Sequence, residues 1–315
     1  LLLARGMNPG GFGQDILWTD PEHHSPWREL YEWHSAGQPA PRLNLSPEQK
    51  NHLRRIDSAI LTEAMDIIFA SGRRSIEALR IALATTDRVK FSASTPLVQE
   101  VADGVIQLLG SRRSRISTRD ANALQNLPRY VVAYIHAVAG HNGKDPQRLE
   151  REVIGYLEQC SVLSPAQTGV LFAEQLCLMR PGEQFYACPQ CRRVHLHRAG
   201  GFCIECRVPL AAPQPLSAVP VDADYYNFLA TQAGDVFRLN CEELTGQTNK
   251  AEARNRQRLF QGICLPQPTE EPLTDELDLL SVTTTMEAGV DIGSLLAVMM
   301  ANMPQPIRTI PVASR

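Results

Sequence analysis

The sequence lacks any hydrophobic run that approaches the roughly 20 residues needed to cross a bilayer. It also lacks an excess of either charge, because 31 lysines and arginines face 34 aspartates and glutamates, for a net charge of -3. We therefore expect no membrane span, and any contact with nucleic acid has to come from local patches. With 43% hydrophobic and 21% charged residues, the composition is that of a globular protein of two or three domains.

The first residues, LLLARGMNPGG, have neither a leading basic segment nor a typical cleavage site, so they do not predict a signal peptide. No methionine opens the chain, which favours a piece of a longer protein. Half of the eight cysteines stand in two C-x-x-C pairs, a pattern that favours metal binding in a reducing compartment over disulfides. We therefore expect a cytoplasmic location.

Local signals predict that the first half of the chain is mainly helical. The segment 46–49, SPEQ, is a capping box with proline at the first helical position, and Gly72 is placed to end the helix that follows. Thr95-Pro96 and Ser164-Pro165 are typical helix starts. Further helices are predicted at about 75–85, 96–109, 128–139, 147–160 and 165–179.

The pattern changes after a proline-rich stretch at 211–220, which we interpret as a linker. Helices and strands then alternate, as in an α/β layer with a parallel sheet. The predicted elements are a helix near 223–231, a strand at 235–241, a polar helix over 249–261, and strands at 277–282 and 295–301.

Between these halves lies a four-cysteine insert, YACPQCRRVHLHRAGGFCIECRVPL. Two residues separate Cys188 from Cys191 and Cys203 from Cys206, so each tight turn directs two sulfurs at one ion. Zinc accepts four thiolates in a tetrahedron, and the glycines at 200–201 fit a hairpin return between the pairs. Because a four-sulfur site leaves no open position for a substrate, the predicted zinc is structural.

Basic and imidazole side chains surround the two pairs: Arg192, Arg193, His195, His197, Arg198 and Arg207. They form either a solvated face of a structural element or a set of contacts for nucleic-acid phosphates. Either histidine could replace a zinc ligand, but the spacing does not require it, and both are expected at the surface. The other cysteines stand singly in apolar surroundings and are expected in the core: Cys160, Cys177, Cys241 and Cys264.

The segment 281–304, SVTTTMEAGVDIGSLLAVMMANMP, has the pattern of a buried strand, a polar turn and a second apolar strand. It resembles motif V of the superfamily-two DEAD/DEAH-type helicases. The resemblance implies that Thr283 contacts a strand phosphate, while Gly289 and Asp291 link that contact to the bound nucleotide. A glycine admits close approach of the backbone to a phosphate, and hydroxyl and N–H groups supply donors.

A second segment, 243–260, ELTGQTNKAEARNRQRLF, resembles the polar turn and arginine-rich helix that follow the first strands of the second motor domain. The resemblance places Thr245, Gly246 and Thr248 in a nucleic-acid-binding turn. Together with the four-cysteine insert and the Asn-Pro-Gly-Gly opening, the chain resembles large zinc-containing bacterial helicases, including phage-defence helicases of the DISARM kind. This implies a role in antiviral defence, DNA rather than RNA as the bound strand, and the N-terminal motor half of the same helicase as a partner.

The local signals and the resemblance together predict an α/β plus α fold. Its parts are an irregular aromatic-rich segment at 1–45, a helical insertion at 46–184, a zinc ribbon at 185–210, a partial RecA-like second helicase domain with a parallel sheet at 221–304 and a divergent tail at 305–315.

The sequence departs from the helicase pattern at the catalytic motifs. It contains no G-x-x-x-x-G-K-[ST] phosphate loop, no acidic box after an apolar strand, and no arginine motif of the expected spacing in its tail. We therefore assign no catalytic residue, expect ATP and Mg²⁺ only in the complete enzyme, and predict that this chain alone does not hydrolyse ATP. Two alternatives remain: a non-catalytic zinc-containing nucleic-acid-binding or scaffold module, and an unrelated nucleotide-binding domain.

Overall fold

The computed structural model describes residues 3–7, 27–33, 39–70, 74–112, 126–166, 168–218, 225–232, 234, 238–266, 270–283 and 297–299. These residues contain seven α-helices and several small sheets. The helices are α1 Pro47–Ile68, α2 Pro96–Ser111, α3 Arg129–His141, α4 Pro146–Gln159, α5 Tyr225–Gln232, α6 Lys250–Phe260 and α7 Pro272–Asp275. The strands are β1 Tyr31–Glu32, β2 Ala40–Pro41, β3 Leu83–Thr85, β4 Cys177–Met179, β5 Gln184–Ala187, β6 Val194–His195, β7 Gln214–Pro215, β8 Cys241–Leu244 and β9 Leu279–Val282.

The chain forms two compact units. The helix–ribbon unit comprises Asn8–Tyr31 and Pro41–Asp235, and the parallel-strand unit comprises Leu1–Met7, Glu32–Ala40 and Val236–Arg315. None of the helices in the described part of the chain is both long enough and apolar enough to cross a membrane.

Side-chain caps fix the starts of three long helices in the helix–ribbon unit. Ser46 and Gln49 form the predicted capping box at α1, with each side chain bonded to the other's backbone N–H. Thr95 accepts from the N–H of Val98 at the start of α2, and Asp145 caps α4 in the same way. The predicted starts of these helices are confirmed, because a cap is a local interaction.

The core of this unit is built around α2, whose residues from Val101 to Gly110 are all buried. Helices α3 and α4 and strand β3 pack against it. At Gly104 an added Cβ would lie 2.2 Å from the hydroxyl oxygen of Tyr134, so a glycine is required for this close approach. Tyr134 is fully buried, and its hydroxyl donates to the carbonyl oxygen of Ala199 at 3.0 Å.

Two predicted helices are not formed. Residues 74–80 make turns, with Arg80 in the left-handed region at a φ of 60°, and lead into β3 instead of a helix over 75–85. The described residues 165–166 and 168–179 contain a short 3₁₀ turn at Ala173–Gln175 and then β4, so Ser164-Pro165 does not start a helix. Strands β3 and β4 pair antiparallel, which buries all three residues of β3. This pairing over a long sequence separation outweighs local helix propensity.

The four-cysteine insert contributes strands to the same unit. Strand β5 pairs antiparallel with both β6 and β7, in the order β6-β5-β7. The stretch 211–220, predicted to be a linker, therefore supplies the edge strand β7. Proline is tolerated at a sheet edge because it removes only a donor that no neighbouring strand needs.

The parallel-strand unit contains β8, α6, α7 and β9 in chain order. Strands β8 and β9 are parallel, with Cys241 opposite Leu279 and Leu244 opposite Val282. Asn249 caps α6, close to the predicted helix start. The first strand begins at Cys241, later than the predicted 235–241, and the described residues 297–299 of the predicted strand 295–301 are not in a strand.

Candidate metal centre and nucleic-acid interface

The four predicted ligands Cys188, Cys191, Cys203 and Cys206 come together, with all four sulfurs within 4.8 Å of one another. The Sγ atoms of Cys191 and Cys203 are 3.7 Å apart. A tetrahedron with metal–sulfur bonds of about 2.3 Å has edges of about 3.8 Å. The four thiols can therefore hold a metal ion, and their spacing is compatible with zinc.

Both pairs have the same local geometry. In each, the N–H of the second cysteine donates to the sulfur of the first, at 3.4 Å from Cys191 to Cys188 and 3.5 Å from Cys206 to Cys203. Each pair is followed by an arginine whose backbone lies in the left-handed region. Arg192 has a φ of 61° and Arg207 has a φ of 56°. Glycine suits this conformation better than arginine, so the two arginines occupy strained positions.

The electrostatics of the thiols favours a bound cation. Burial opposes ionisation of Cys188, but hydrogen bonds from the backbone N–H groups of Cys191 and Gln190 lower the pKa of its thiol to about 7. Burial raises the pKa of the Cys203 thiol. A metal ion held by this group would bind the cysteines as thiolates.

The remaining cysteines do not behave alike. Cys160 is buried as predicted, but Cys177 and Cys241 are exposed and Cys264 is intermediate. The prediction of core positions was wrong for these three, because Cys177 and Cys241 lie in short strands with an exposed face.

The two histidines of the insert are buried, which corrects the prediction that they lie at the surface. His195 is 0% exposed and His197 is 7% exposed. They lie close to Glu77, which no sequence pattern marks, and neither histidine belongs to the four-sulfur group. Strand β6 turns His195 inward, because strand residues alternate between faces and Val194 takes the other one.

A cavity of about 600 Å³ lies beside the first cysteine pair; we call it the arginine cavity. Arg192 and Arg193 line it, together with Arg80 and Arg112 from outside the insert. Glu205 forms an ion pair with Arg112 and lies 3.8 Å from Arg193. The lining therefore carries four positive charges and one negative charge.

Two buried donors in the lining of this cavity have no hydrogen-bond partner among the described residues. They are Nε of Arg80 and Nε2 of Gln107. Gln107 is 1% exposed, and the Arg80 guanidinium lies 5.1 Å from the centroid of the Phe185 ring. Buried donors are almost always paired in folded proteins, so two unpaired donors side by side are unusual.

In the parallel-strand unit, the predicted nucleic-acid-binding residues lie at the ends of two neighbouring strands. Thr245 follows β8 and Thr283 follows β9, and the Thr283 N–H donates to the carbonyl oxygen of Leu244 at 3.3 Å. Because the strands are parallel, both residues lie at the same carboxyl edge of the sheet.

The turn after β8 is held by its own hydroxyl groups. Thr248 Oγ1 accepts from the N–H of Thr245 at 3.1 Å, and the Thr248 N–H donates to the Thr245 carbonyl oxygen. Gly246 lies between them and is exposed, as is Thr283. This arrangement presents polar groups to solvent at the sheet edge. The other two residues taken from the helicase resemblance, Gly289 and Asp291, lie outside the described residues.

Two arginines of helix α6 are engaged within the parallel-strand unit. Arg258 forms two hydrogen bonds of 2.6 Å to the carboxylate of Glu270, and Arg256 pairs with Glu242 and Glu252. Paired guanidinium groups offer less charge to a nucleic acid than free ones. The turn before α6 is therefore a stronger candidate contact than these two arginines.

Comparison with known protein families, with curated proteins and with solved structures finds no match to this chain.

Sequence reasoning found the four thiols but missed Glu77, Arg80 and Gln107. The C-x-x-C spacing is a local signal, whereas these three residues reach their sites only through tertiary packing. The Leu196 N–H donates to the Glu77 carboxylate across 119 positions of sequence. No local pattern marks such a contact.

Proposed function

We propose that this chain is part of an ATP-dependent superfamily-two helicase, with the parallel-strand unit belonging to its second motor domain. The observation that carries the proposal is the meeting of Thr283 and the turn at 245–248 at one carboxyl edge of a parallel strand pair. Ligands of open α/β sheets bind at this edge. These polar groups contact the phosphates of a nucleic-acid strand, and Gly289 and Asp291 couple that contact to the nucleotide held by the complete enzyme.

Exposed apolar side chains in the same unit support this assignment. Leu279 and Val282 of β9 are 41% and 46% exposed, and Leu239, just before β8, is 62% exposed. Parallel strands are normally covered on both faces. We take the exposure as support for a motor domain that packs against further structure, with the N-terminal motor half as the partner.

The four cysteines bind zinc in this proposal, and the zinc is structural. Four thiolates complete its tetrahedron and leave no position for a substrate. ATP and Mg²⁺ bind only to the complete enzyme. We expect the bound nucleic acid to be DNA rather than RNA. The role in antiviral defence rests on the resemblance alone.

The proposal is tested by measuring the affinity of the chain for a labelled single-stranded DNA by fluorescence anisotropy. Replacing Thr283 with valine removes a hydroxyl without changing the side-chain shape. A hydrogen bond to a charged group contributes about 1.5–3 kcal/mol, so Thr283→Val is expected to weaken binding about tenfold or more. Thr274→Val is the matched control, because the Thr274 hydroxyl donates to the Glu271 carbonyl oxygen of its own helix. Equal affinities of both variants and the wild type would contradict the proposed edge contact.

The arginine cavity favours a second candidate function, a zinc-stabilised nucleic-acid-binding module without catalysis. Its lining carries four arginines and one glutamate, Glu205, so it provides local positive charge for phosphate groups although the net charge of the chain is -3.

Neutralising Arg192 and Arg193 separates the two candidates. Each phosphate contact that is lost lowers the slope of log affinity against log salt by about 1. The module function predicts that Arg192→Gln and Arg193→Gln reduce both affinity and slope while Thr283→Val does neither. Arg151→Gln, on the exposed face of α4, is the control for a general change in charge.

A further inference from the structure

A second cluster of ligand side chains lies in the helix–ribbon unit, apart from the four cysteines. Glu77, His195 and His197 each offer a ligand atom, and these atoms lie within 4.8 Å of one another. We propose that these residues, the Glu77–His195–His197 triad, bind a divalent first-row transition metal, and that zinc is the ion they take. The proposal is independent of the helicase function.

Unpaired polar atoms converge in this triad. Among the described residues, Oε2 of Glu77, both ring nitrogens of His195 and Nε2 of His197 are buried without a hydrogen-bond partner. All three side chains are less than 8% exposed. Buried polar atoms of folded proteins nearly always have a partner. A metal ion supplies one, because each residue contributes a lone pair to it.

One distance within the triad is close to the edge of a tetrahedral site. Nε2 of His197 lies 3.5 Å from Oε1 of Glu77, which is too long for a strong hydrogen bond. Metal–nitrogen and metal–oxygen bonds of about 2.0–2.1 Å give tetrahedral edges of about 3.3–3.4 Å. The two imidazole rings are nearly perpendicular, at 84°, so they do not stack on each other.

Charged side chains near the triad act on a bound cation in both directions. Arg193, which lies near all three groups, opposes a cation, whereas the nearby Asp103 favours one.

Backbone N–H groups contact two of the three side chains. The Leu196 N–H donates to Oε1 of Glu77 at 3.0 Å, and the Ala199 N–H donates to Nδ1 of His197 at 3.1 Å. Coordination through Nε2 puts the ring proton on Nδ1, so the Ala199 contact has to open when metal binds.

Two imidazoles and one carboxylate are a donor set for zinc and its neighbours rather than for calcium or magnesium. With all three ligands buried, a bound ion would tie the turn segment at 74–80 to the strands of the insert. Three protein ligands leave the fourth position of a tetrahedral ion to a water molecule.

The experiment is a metal count on the full chain loaded with Zn²⁺ and freed of loose metal, by inductively coupled plasma mass spectrometry. The wild type is expected to hold two equivalents, and Glu77→Gln one. His136→Gln is the matched control, because His136 pairs with a single carboxylate, Glu150, at a partly exposed position. One equivalent in the wild type, or equal counts in wild type and Glu77→Gln, would overturn the proposal.

Titration of the wild type with Co²⁺ keeps the test valid if Glu77→Gln fails to fold. Cobalt at four thiolates gives intense sulfur-to-metal charge-transfer absorption. The second equivalent is expected to add d–d absorption without further charge transfer, since the triad contains no sulfur. Saturation at one equivalent, or charge transfer that grows through the second, would contradict a nitrogen–oxygen site.

Discussion

At the residue scale, the two arginines after the cysteine pairs combine strain with a position beside the metal centre. Arg192 and Arg207 hold left-handed backbone, at φ values of 61° and 56°. That conformation costs a side-chain-bearing residue about 1–2 kcal/mol. Arg192 also lines the arginine cavity. Strained residues at such positions point to a contact that glycine could not make.

Substituting glycine at Arg192 is therefore expected to act in opposite directions on stability and on binding. Arg192→Gly relieves the strain but raises the entropy of the unfolded chain, for a net gain of up to about 1 kcal/mol in the free energy of unfolding. The same change is expected to weaken strand binding if Arg192 contacts phosphate. Urea unfolding with zinc in excess measures the effect on stability. Fluorescence anisotropy of a labelled single-stranded DNA measures the effect on binding.

Arg198→Gly is the control for this substitution. Arg198 lies in the same segment with an ordinary helical φ of -69°, so glycine there has no strain to relieve and is expected to destabilise. A loss of stability in Arg192→Gly as large as in Arg198→Gly would contradict the strain argument.

Asp103 is the residue whose titration is expected to change stability near neutral pH. Burial raises the pKa of its carboxyl group to about 6, although Arg88, Thr85 and Gln99 bond to it. Because the pKa is higher in the folded chain than in the unfolded one, protonation of Asp103 stabilises the folded state. This contribution to the free energy of unfolding is full below the unfolded pKa of about 3.8 and is lost as the pH rises through about 6.

Between about pH 5 and pH 8, the wild type is therefore expected to lose about 1 kcal/mol of unfolding free energy relative to Asp103→Asn. Paired urea titrations of the two proteins, with zinc in excess, measure this difference. If the difference in unfolding free energy stayed constant with pH, Asp103 would ionise equally readily in the folded and unfolded chains. If it moved in the wild type's favour, Asp103 would ionise more readily in the folded chain. Either result would contradict a raised pKa.

At the element scale, helix α2 is the structural centre of the helix–ribbon unit, and its packing depends on a glycine. In Gly104→Ala the new Cβ would lie 2.2 Å from the Tyr134 hydroxyl, and Tyr134 is fully buried. Such overpacking costs about 1–3 kcal/mol. Thermal or urea unfolding of the variant is expected to show a loss of this size.

Gly155 provides the comparison within the same unit. It lies on the exposed face of α4, where an added Cβ meets nothing within 4 Å. Gly155→Ala is expected to stabilise the protein by about 0.5–1 kcal/mol, because alanine favours the helix. If Gly104→Ala were as well tolerated as Gly155→Ala, the close approach of α2 and Tyr134 would be wrong.

The elements also separate what the sequence can predict from what it cannot. Ser46, Thr95, Asp145 and Asn249 cap their helices through bonds to residues three positions away, so each start is marked by neighbouring residues. Strands β3 and β4 have no such mark. Each is stabilised by a partner about a hundred residues distant, and the segments alone resemble helices.

The candidate sites follow the same division. The four-sulfur group was predictable because each pair of thiols is set by one turn. The triad was not, since Glu77 reaches the histidines only when the turn segment at 74–80 folds onto the insert. Successive side chains of a strand point to opposite faces, so one of the two residues of β6, Val194 and His195, is expected to point inward. This rule does not say which one.

At the scale of the whole molecule, the chain combines a helical unit, whose four close cysteines could hold a metal ion, with a unit that contains a parallel strand pair. The helicase proposal assigns the contact with a nucleic-acid strand to the parallel-strand unit. It assigns no catalytic residue to either unit. We therefore expect the purified chain to show no ATP hydrolysis above background, with or without single-stranded DNA. A strand-stimulated ATPase activity that copurifies with the chain through successive columns would contradict that expectation.

The most direct test of the central claim is to map where a DNA strand touches the chain. A single strand that carries photoreactive thymidines is crosslinked to the full-length chain, and the modified peptides are identified by mass spectrometry. We expect crosslinks in the turn at 245–248 and at Thr283, the residues at the carboxyl edge of the parallel pair. Crosslinks confined to the arginine cavity would contradict it and favour the zinc-stabilised binding module, and no crosslinks at all would contradict both functions.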